Sequence, residues 1–105
     1  MTGLEFMSLS ALEVKDYIEK TGRFSEGKNT LLTQVISSLR PRKIIKKSWV
    51  ELIDDDLKRF IITNRRGKEI FVEYITGRTG TKIDWIATKI IIKRDGKIID
   101  RYDRP

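Results

Sequence analysis

Residues 89–101 decide the fold, and they read Lys-Ile-Ile-Ile-Lys-Arg-Asp-Gly-Lys-Ile-Ile-Asp-Arg. An Asp-Gly pair at 95–96 separates two isoleucine-rich arms, which favours a two-residue hairpin because a type I′ turn needs positive φ at both central positions. Isoleucine is β-branched and favours strands on both sides of the turn. The predicted register sets Ile92 opposite Ile99 and Lys93 opposite Ile98.

Upstream of this hairpin, runs of β-branched and aromatic residues continue from residue 44 and are broken by short segments rich in Asp, Asn, Gly and Thr. This pattern is typical of successive strands joined by turns. It predicts five strands, over 44–53, 57–63, 68–76, 81–93 and 97–103. Because no helix separates one strand from the next, the sheet is expected to be antiparallel.

The N-terminal part of the chain shows helical spacing instead. Ser10 is placed to cap a helix, and Glu13 three residues later completes a capping box, so a helix is predicted over 10–20. Apolar residues recur at helical spacing again over 30–40, until Pro41 ends the pattern. The predicted fold is therefore α+β: one domain over residues 1–105, with two N-terminal helices on one face of a four- to five-stranded antiparallel sheet.

The amino-acid composition limits which catalytic and metal-binding groups this chain can use. The chain has 105 residues, neither cysteine nor histidine, and a charged fraction of 35%. Disulfides, thiolate or imidazole metal ligands and a histidine general base are thereby excluded, and no cofactor or metal is expected. No apolar run is long enough to span a membrane, so a cytoplasmic protein is predicted. The high charge is also typical of thermophile proteins, and a thermophilic host or its virus is one reading of it.

The net charge of +7, from 22 basic and 15 acidic residues, indicates a polyanionic partner, and nucleic acid, DNA or RNA, is the leading hypothesis. On strand 81–93, alternation places the aromatic Trp85 on the same side as Lys89 and Lys93. Residues 86, 88, 90 and 92 are predicted to face the helices. Glycines in the predicted loop 76–81 would let its backbone approach phosphate. The predicted contact residues are Arg65, Arg66, Arg78, Lys82, Trp85, Lys89, Lys93 and Arg94.

Two other classes of function stay open. If Ile83, Trp85 and Ile91 form an exposed sheet face, that face would build a homodimer or inhibit another protein. A metal-independent ribonuclease is the third hypothesis, because an arginine can stabilise the transition state while a glutamate or tyrosine moves the proton. Its candidate residues are Glu73, Arg78, Arg101 and Tyr102. Without histidine or a converging carboxylate motif, a non-enzymatic role is favoured.

Three weaker patterns are interpreted structurally. Residues 22–29 match G-x-x-x-x-G-K but end in Asn29, where a phosphate-binding loop needs Ser or Thr, so a connector between helices is predicted. The acidic trio 54–56 is interpreted as a turn between strands. A winged helix-turn-helix is disfavoured because helix 30–40 offers few basic residues and five strands are too many for a wing.

Overall fold

The structure is a computed structural model, and it describes residues 3–21, 24–25, 45–52, 57–64, 66–79 and 82–105. Two helices open the described part, α1 (Gly3–Met7) and α2 (Ala11–Thr21). Six strands follow: β1 (Phe24–Ser25), β2 (Ile45–Leu52), β3 (Leu57–Asn64), β4 (Lys68–Thr79), β5 (Lys82–Arg94) and β6 (Lys97–Asp103). The predicted helix 30–40 lies outside the described residues.

All described strand pairs are antiparallel, in one sheet with the order β1-β5-β4-β3-β2. β6 also pairs with β5, alongside its C-terminal half, while β1 pairs with the N-terminal half of the same strand. Helix α2 packs against β5 and β6. An antiparallel sheet with a helix on one face is the α+β arrangement that the sequence predicts. We call the face that carries α2 the inner face and the opposite one the outer face.

The core lies between the N-terminal helices and the inner face. Its strand members are contributed by three adjacent strands: Phe60, Ile62, Ile70, Val72, Tyr74, Trp85, Ala87, Ile90 and Ile92. Its helix members include Phe6, which is fully buried and lies 5.6 Å from the Tyr17 ring centroid. Helix α1, which the sequence pattern does not predict, places Phe6 and Met7 in the core.

The capping box of α2 is confirmed. The Ser10 N–H donates to Glu13 Oε1 at 3.0 Å, and the Glu13 N–H donates to Ser10 Oγ at 3.2 Å. The bond from the Ser10 backbone lowers the pKa of the Glu13 carboxyl. A third contact ties the helix to the sheet, because the Ala11 N–H donates to Asp100 Oδ2 of β6 at 2.8 Å. The start of α2 is thus fixed both locally and by the edge strand.

The Asp-Gly hairpin is confirmed, with φ of 52° at Asp95 and 82° at Gly96. Lys93 pairs with Ile98 as predicted, but Ile92 pairs with Asp100 and not with Ile99. A register shift next to the turn leaves Ile99 as an extra residue, which is a β-bulge. Ile99 consequently stays exposed at 53%, while the inward side of the strand passes to Asp100.

A second bulge, at Thr88, overturns the predicted faces of β5. Glu73 pairs with Lys89 and Tyr74 with Ala87, so Thr88 has no partner opposite it on β4. Its hydroxyl instead donates to the Glu73 carbonyl at 3.1 Å. Because one extra residue reverses the alternation, Trp85 and Ala87 share the inner face with Ile90 and Ile92, and Ile86 lies on the outer face.

The predicted loop 76–81 is also wrong. Residues 76–79 pair with residues 82–85, so β4 and β5 continue toward each other until only Gly80 and Thr81 separate them. Gly77 lies within the ladder and has no positive φ. A backbone already paired in a ladder has few N–H groups left for phosphate, so the loop geometry on which that predicted contact depends is absent at residues 76–79.

Candidate nucleic-acid interface

Two hairpin turns meet at one end of the sheet. The β3–β4 turn and the β5–β6 turn come together because Lys68 pairs with Arg94 and Glu69 with Lys93 at the same end of β4 and β5. The Asp95 N–H donates to the Gly67 carbonyl at 3.0 Å, which joins one turn directly to the other. We call this region the twin-turn end, and it comprises Asn64, residues 66–69 and residues 93–97.

The β3–β4 turn is held by one side chain. Asn64 Oδ1 accepts hydrogen bonds from the N–H groups of Arg66 and Lys68, each at 2.9 Å. This pattern is an Asx-type turn, in which a side-chain carbonyl replaces a backbone one. Gly67 completes the turn with φ of 79°, a conformation that side chains rarely adopt. Arg66 is thereby presented to solvent from a fixed backbone.

Positive charge is concentrated at the twin-turn end. It carries five basic side chains and two acidic ones, a net charge of +3 out of +7 for the chain: Arg66, Lys68, Lys93, Arg94 and Lys97 against Glu69 and Asp95. Three of the basic residues are exposed: Arg66, Arg94 and Lys97. Exposed cations on adjoining rigid turns are the arrangement that attracts phosphates and releases their counterions.

Lys68 differs from its neighbours because it is only 7% exposed, and it is the one charged residue in the buried part of the described chain. Burial lowers the pKa of the Lys68 ammonium, and the nearby positive charge of Arg94 lowers it further, against a smaller opposite effect of Asp100. Among the described residues, no side chain forms an ion pair or hydrogen bond with this ammonium. The burial concerns mainly the aliphatic stem of Lys68, because its ammonium nitrogen is not one of the buried side-chain atoms that lack a partner.

The structure brings together only part of the predicted contact set. Arg66, Lys93 and Arg94 lie at the twin-turn end, and Arg65 lies outside the described residues. Arg78 and Lys82 lie near the opposite ends of the same strands, about 33 Å away at about 3.3 Å per residue. The predicted set is therefore two separate basic groups.

Lys89 lies between these groups, in a row of alternating charge on the outer face. Successive strands place Arg59, Glu73, Lys89 and Asp103 side by side. Lys89 thus has a carboxylate on each side, and its charge lowers the pKa of Asp103, after the larger effect of the Arg101 hydrogen bond. A cation between two anions contributes less to attracting a polyanion than an isolated one.

Trp85 is not available for stacking on a base. It is 6% exposed and lies in the core, where its ring packs edge-on against Tyr74 with centroids 5.8 Å apart. The reversal of alternation at Thr88 explains this placement. The predicted aromatic platform of Trp85 with Lys89 and Lys93 is therefore wrong, because the tryptophan and the lysines lie on opposite faces.

The ribonuclease candidates are not assembled into one site. Glu73 lies on the outer face, whereas Tyr102 packs against the core on the inner face beneath Lys15. Arg101 is bound by Asp103, with Nε to Oδ2 at 2.7 Å and Nη2 to Oδ1 at 3.1 Å. The backbone of Arg78 lies five residues further along β4 than Glu73. Within the described ranges, no group of three acidic side chains is placed to hold a metal ion.

Lys68 and Asn64 are absent from the predicted contact set, although the sequence contains a signal for each. Lys68 has the same strand parity as Ile70 and Val72, which predicts a lysine on the core side. Asn64 is followed three residues later by Gly67, a spacing typical of a turn held by an asparagine side chain. Neither signal indicates a binding site by itself, because the two turns become neighbours only through the pairing of β4 with β5.

Comparison with protein-family models, with curated proteins and with solved structures finds no match to this chain. In the parts of the chain that the structure describes, no helix has the length and apolar character needed to cross a membrane.

Proposed function

We propose that this chain is a small, basic, non-catalytic nucleic-acid-binding protein of the cytoplasm that contacts the phosphate backbone through the twin-turn end. The observation that supports the proposal most is convergence: Arg66 and Arg94 are distant in sequence, yet they extend from two turns joined by a hydrogen bond. Most hydrogen bonds from proteins to nucleic acid go to phosphate and sugar, and rigid exposed cations are the groups that make them.

The charge of this region sets the expected salt dependence. If its net charge of +3 neutralises three phosphates, the slope of log affinity against log salt concentration is about −2.7 on duplex DNA and about −2.1 on a single strand. Fluorescence anisotropy with labelled single-stranded DNA, duplex DNA and RNA at several salt concentrations measures the slope and identifies the preferred nucleic acid. A flat salt dependence on all three would contradict backbone-led binding.

Single charge removals locate the contact surface. Arg66→Ala and Arg94→Ala are each expected to weaken binding equally across sequences and to make the salt slope shallower by about one unit. Lys20→Ala is the matched control. Lys20 is an exposed lysine in the last turn of α2, outside the twin-turn end, and its replacement also removes one positive charge. Equal weakening by Lys20→Ala and Arg66→Ala would show that net charge, and not the twin-turn end, determines affinity.

The second basic group is tested in the same way. Arg78→Ala and Lys82→Ala report whether the nucleic acid extends along the sheet to the other end, as the contact residues predicted from the sequence imply.

The proposal also includes a second helix over residues 30–40. Because the proposed protein is not an enzyme, labelled RNA and DNA should stay intact during prolonged incubation with and without Mg²⁺. Cleavage that Arg78→Ala abolishes would favour the ribonuclease hypothesis.

The second candidate function is self-association through the outer face. The observation that favours it is a row of half-buried apolar residues across three adjacent strands, Ile61, Phe71 and Ile91. The charged row beside it carries both signs, so two copies related by a two-fold axis would find opposite charges on each other. Sedimentation equilibrium decides this: a dimer lost in Phe71→Lys supports it, and a monomer at high concentration contradicts it.

A further inference from the structure

The outer faces of β4 and β5 match each other level by level. On this face β4 carries acidic and apolar residues in turn, and β5 carries basic and apolar residues in turn. The residues that lie directly opposite one another are Glu69 and Lys93, Phe71 and Ile91, Glu73 and Lys89, and Ile75 and Ile86. All eight are half-buried, and both described helices contribute to the core on the inner face. The middle of the outer face is thus acidic on one strand and basic on the next.

The charges of this surface are directed away from each other. Directly opposite residues of an antiparallel pair are close enough to form ion pairs across the strands. In the described part of the chain, however, no ion pair joins Glu69 to Lys93 or Glu73 to Lys89. Glu73 Oε2 instead accepts a hydrogen bond from the Thr88 hydroxyl at 3.2 Å. The two ammonium groups and the Glu69 carboxylate are therefore available to charges that approach the face from outside.

A second copy of this chain fits such a surface in one orientation. A two-fold axis that lies in the interface, parallel to the strands and midway between β4 and β5, places β4 of one copy over β5 of the other. Opposite charges then meet at two levels and apolar residues between them: Glu69 faces the partner's Lys93, Phe71 the partner's Ile91, and Glu73 the partner's Lys89. An axis across the strands would place β4 over β4 and β5 over β5, so like charges would meet. Charge complementarity therefore selects the first axis.

We propose that two copies pack by their outer faces about this axis and present both twin-turn ends as one nucleic-acid interface. The inference rests on the proposed function and adds a second copy to its contact site. Because the axis runs along the strands, both twin-turn ends lie at the same end of the dimer. Packed sheets are about 10 Å apart, a distance that about three base pairs of duplex DNA span. One stretch of nucleic acid thus reaches Arg66 and Arg94 of both copies.

The size of the matched surface sets the strength of the dimer. It extends over residues 69–75 of β4 and across four strands, which gives sides of about 20 Å at about 3.3 Å per residue and about 4.8 Å per strand. Specific dimers usually bury about 800 Å² per copy, so this face supports a reversible dimer and not a permanent one. A nucleic acid that binds both copies at once shifts the equilibrium toward the dimer.

Charge reversal at Glu73 and Lys89 tests the pairing. Glu73→Lys and Lys89→Glu each bring like charges together in the proposed dimer. Each variant is expected to sediment at 12.3 kDa at concentrations where the parent sediments at twice that mass. The chain that carries both replacements should dimerise again, and circular dichroism checks the fold of each variant. A parent that stays monomeric at high concentration, or a folded double variant that does, would refute the proposal.

A spin label at the twin-turn end tests the orientation. The chain has no cysteine, so Arg66→Cys takes one label per copy. In the proposed dimer the two labels lie within about 20 Å of each other, because the sheets are about 10 Å apart. An axis across the strands would separate them by about 40 Å, since Arg66 lies about six residues from the middle of the matched surface at about 3.3 Å per residue. A distance near 40 Å in pulsed electron paramagnetic resonance would overturn the orientation.

The salt dependence of binding tests the shared interface. A dimer with twice the net charge of +3 is expected to give a slope of about −5.4 on duplex DNA, against about −2.7 for a monomer. Glu73→Lys and Lys89→Glu change the net charge in opposite directions, so a slope near −2.7 in both reports loss of the dimer. Equal slopes in the parent and both variants would refute the shared interface. If the parent binds no nucleic acid, the proposed function fails, while sedimentation and the label distance still decide the dimer.

Discussion

Replacing Gly67 by alanine tests the contact between the two turns. Gly67 has φ of 79°, and a Cβ built there would collide with Asp95 Oδ1. Gly96 is a matched control, because it has φ of 82° and a Cβ there meets nothing within 4 Å. Gly96→Ala therefore isolates the backbone term, which is about 1 kcal/mol of destabilisation for a side chain in the left-handed region.

Gly67→Ala adds a second term to the same backbone cost. Either the Asp95 carboxylate turns away, or the turns separate and the 3.0 Å bond from the Asp95 N–H to the Gly67 carbonyl breaks. Breaking that bond costs about 1 kcal/mol, so Gly67→Ala is expected to lower the free energy of unfolding by more than Gly96→Ala does, and by up to about 2 kcal/mol in total.

A double-mutant cycle with Asp95→Gly separates the two terms. Glycine at 95 removes the colliding carboxylate and accepts the observed φ of 52°. The double variant should therefore recover about 1 kcal/mol relative to additivity. Urea unfolding followed by circular dichroism measures this, provided that the slope against urea stays constant. Equal destabilisation by Gly67→Ala and Gly96→Ala, or a coupling energy of zero, would refute the contact.

Three further predictions concern stability. Ser10→Ala should lower the free energy of unfolding by about 1 kcal/mol through loss of the cap, and unchanged thermal unfolding would contradict the capping box. Phe6→Ala should cost about 3–5 kcal/mol because Phe6 is fully buried, whereas a loose N-terminus would make the change neutral in urea unfolding. Lys68→Met should be more stable than the parent at neutral pH, where the ammonium is charged in both states and burial penalises the folded one. Because the folded-state pKa is lowered, that advantage should shrink as pH rises from the folded-state pKa toward about 10.4, the unfolded value. A gap in melting temperature that is constant or widens over this range would refute the lowered pKa.

Local signals in the sequence predicted most of the described fold. The capping box at Ser10 and the turn at Asp95 depend on residues within three positions of each other, and both are confirmed. Strand ends agree to within one residue except at the β4–β5 turn. There Gly77 and the surrounding threonines suggested a loop, although pairing across the ladder carries both strands further. Cross-strand pairing overrides the local preference of a glycine.

The faces of the sheet could not be predicted because they depend on single bulge residues. One extra residue at Thr88 was enough to exchange Trp85 with Ile86 between the core and the outer face. The sequence contains a weak signal for it, since Thr88 and Lys89 are consecutive polar residues between two apolar runs, 85–87 and 90–92. The run of three isoleucines that follows hides the change of phase, because every second position remains apolar in either register.

The sequence predicted several of the basic residues of the candidate site but not how they are arranged in space. Arg66, Lys93 and Arg94 were identified from charge alone, and charge does not determine which turns are neighbours. That depends on the pairing of β4 with β5, which brings residues 68 and 94 together. Lys68 was missed because its significance depends on burial, and burial follows from the same pairing.

Among the described strands, β6 lies at an edge of the sheet, and this placement affects how the protein behaves at high concentration. Its inward Asp100 is committed to the start of α2, and its outward Arg101 is held by Asp103. An incoming chain that extended the sheet along this edge would have to cover those charges, and the bulge at Ile99 would put its hydrogen bonds out of step. The charged side chains and the bulge both oppose the addition of further strands. This edge of the sheet is therefore protected against growth into fibrils, even though Ile98 and Ile99 are exposed.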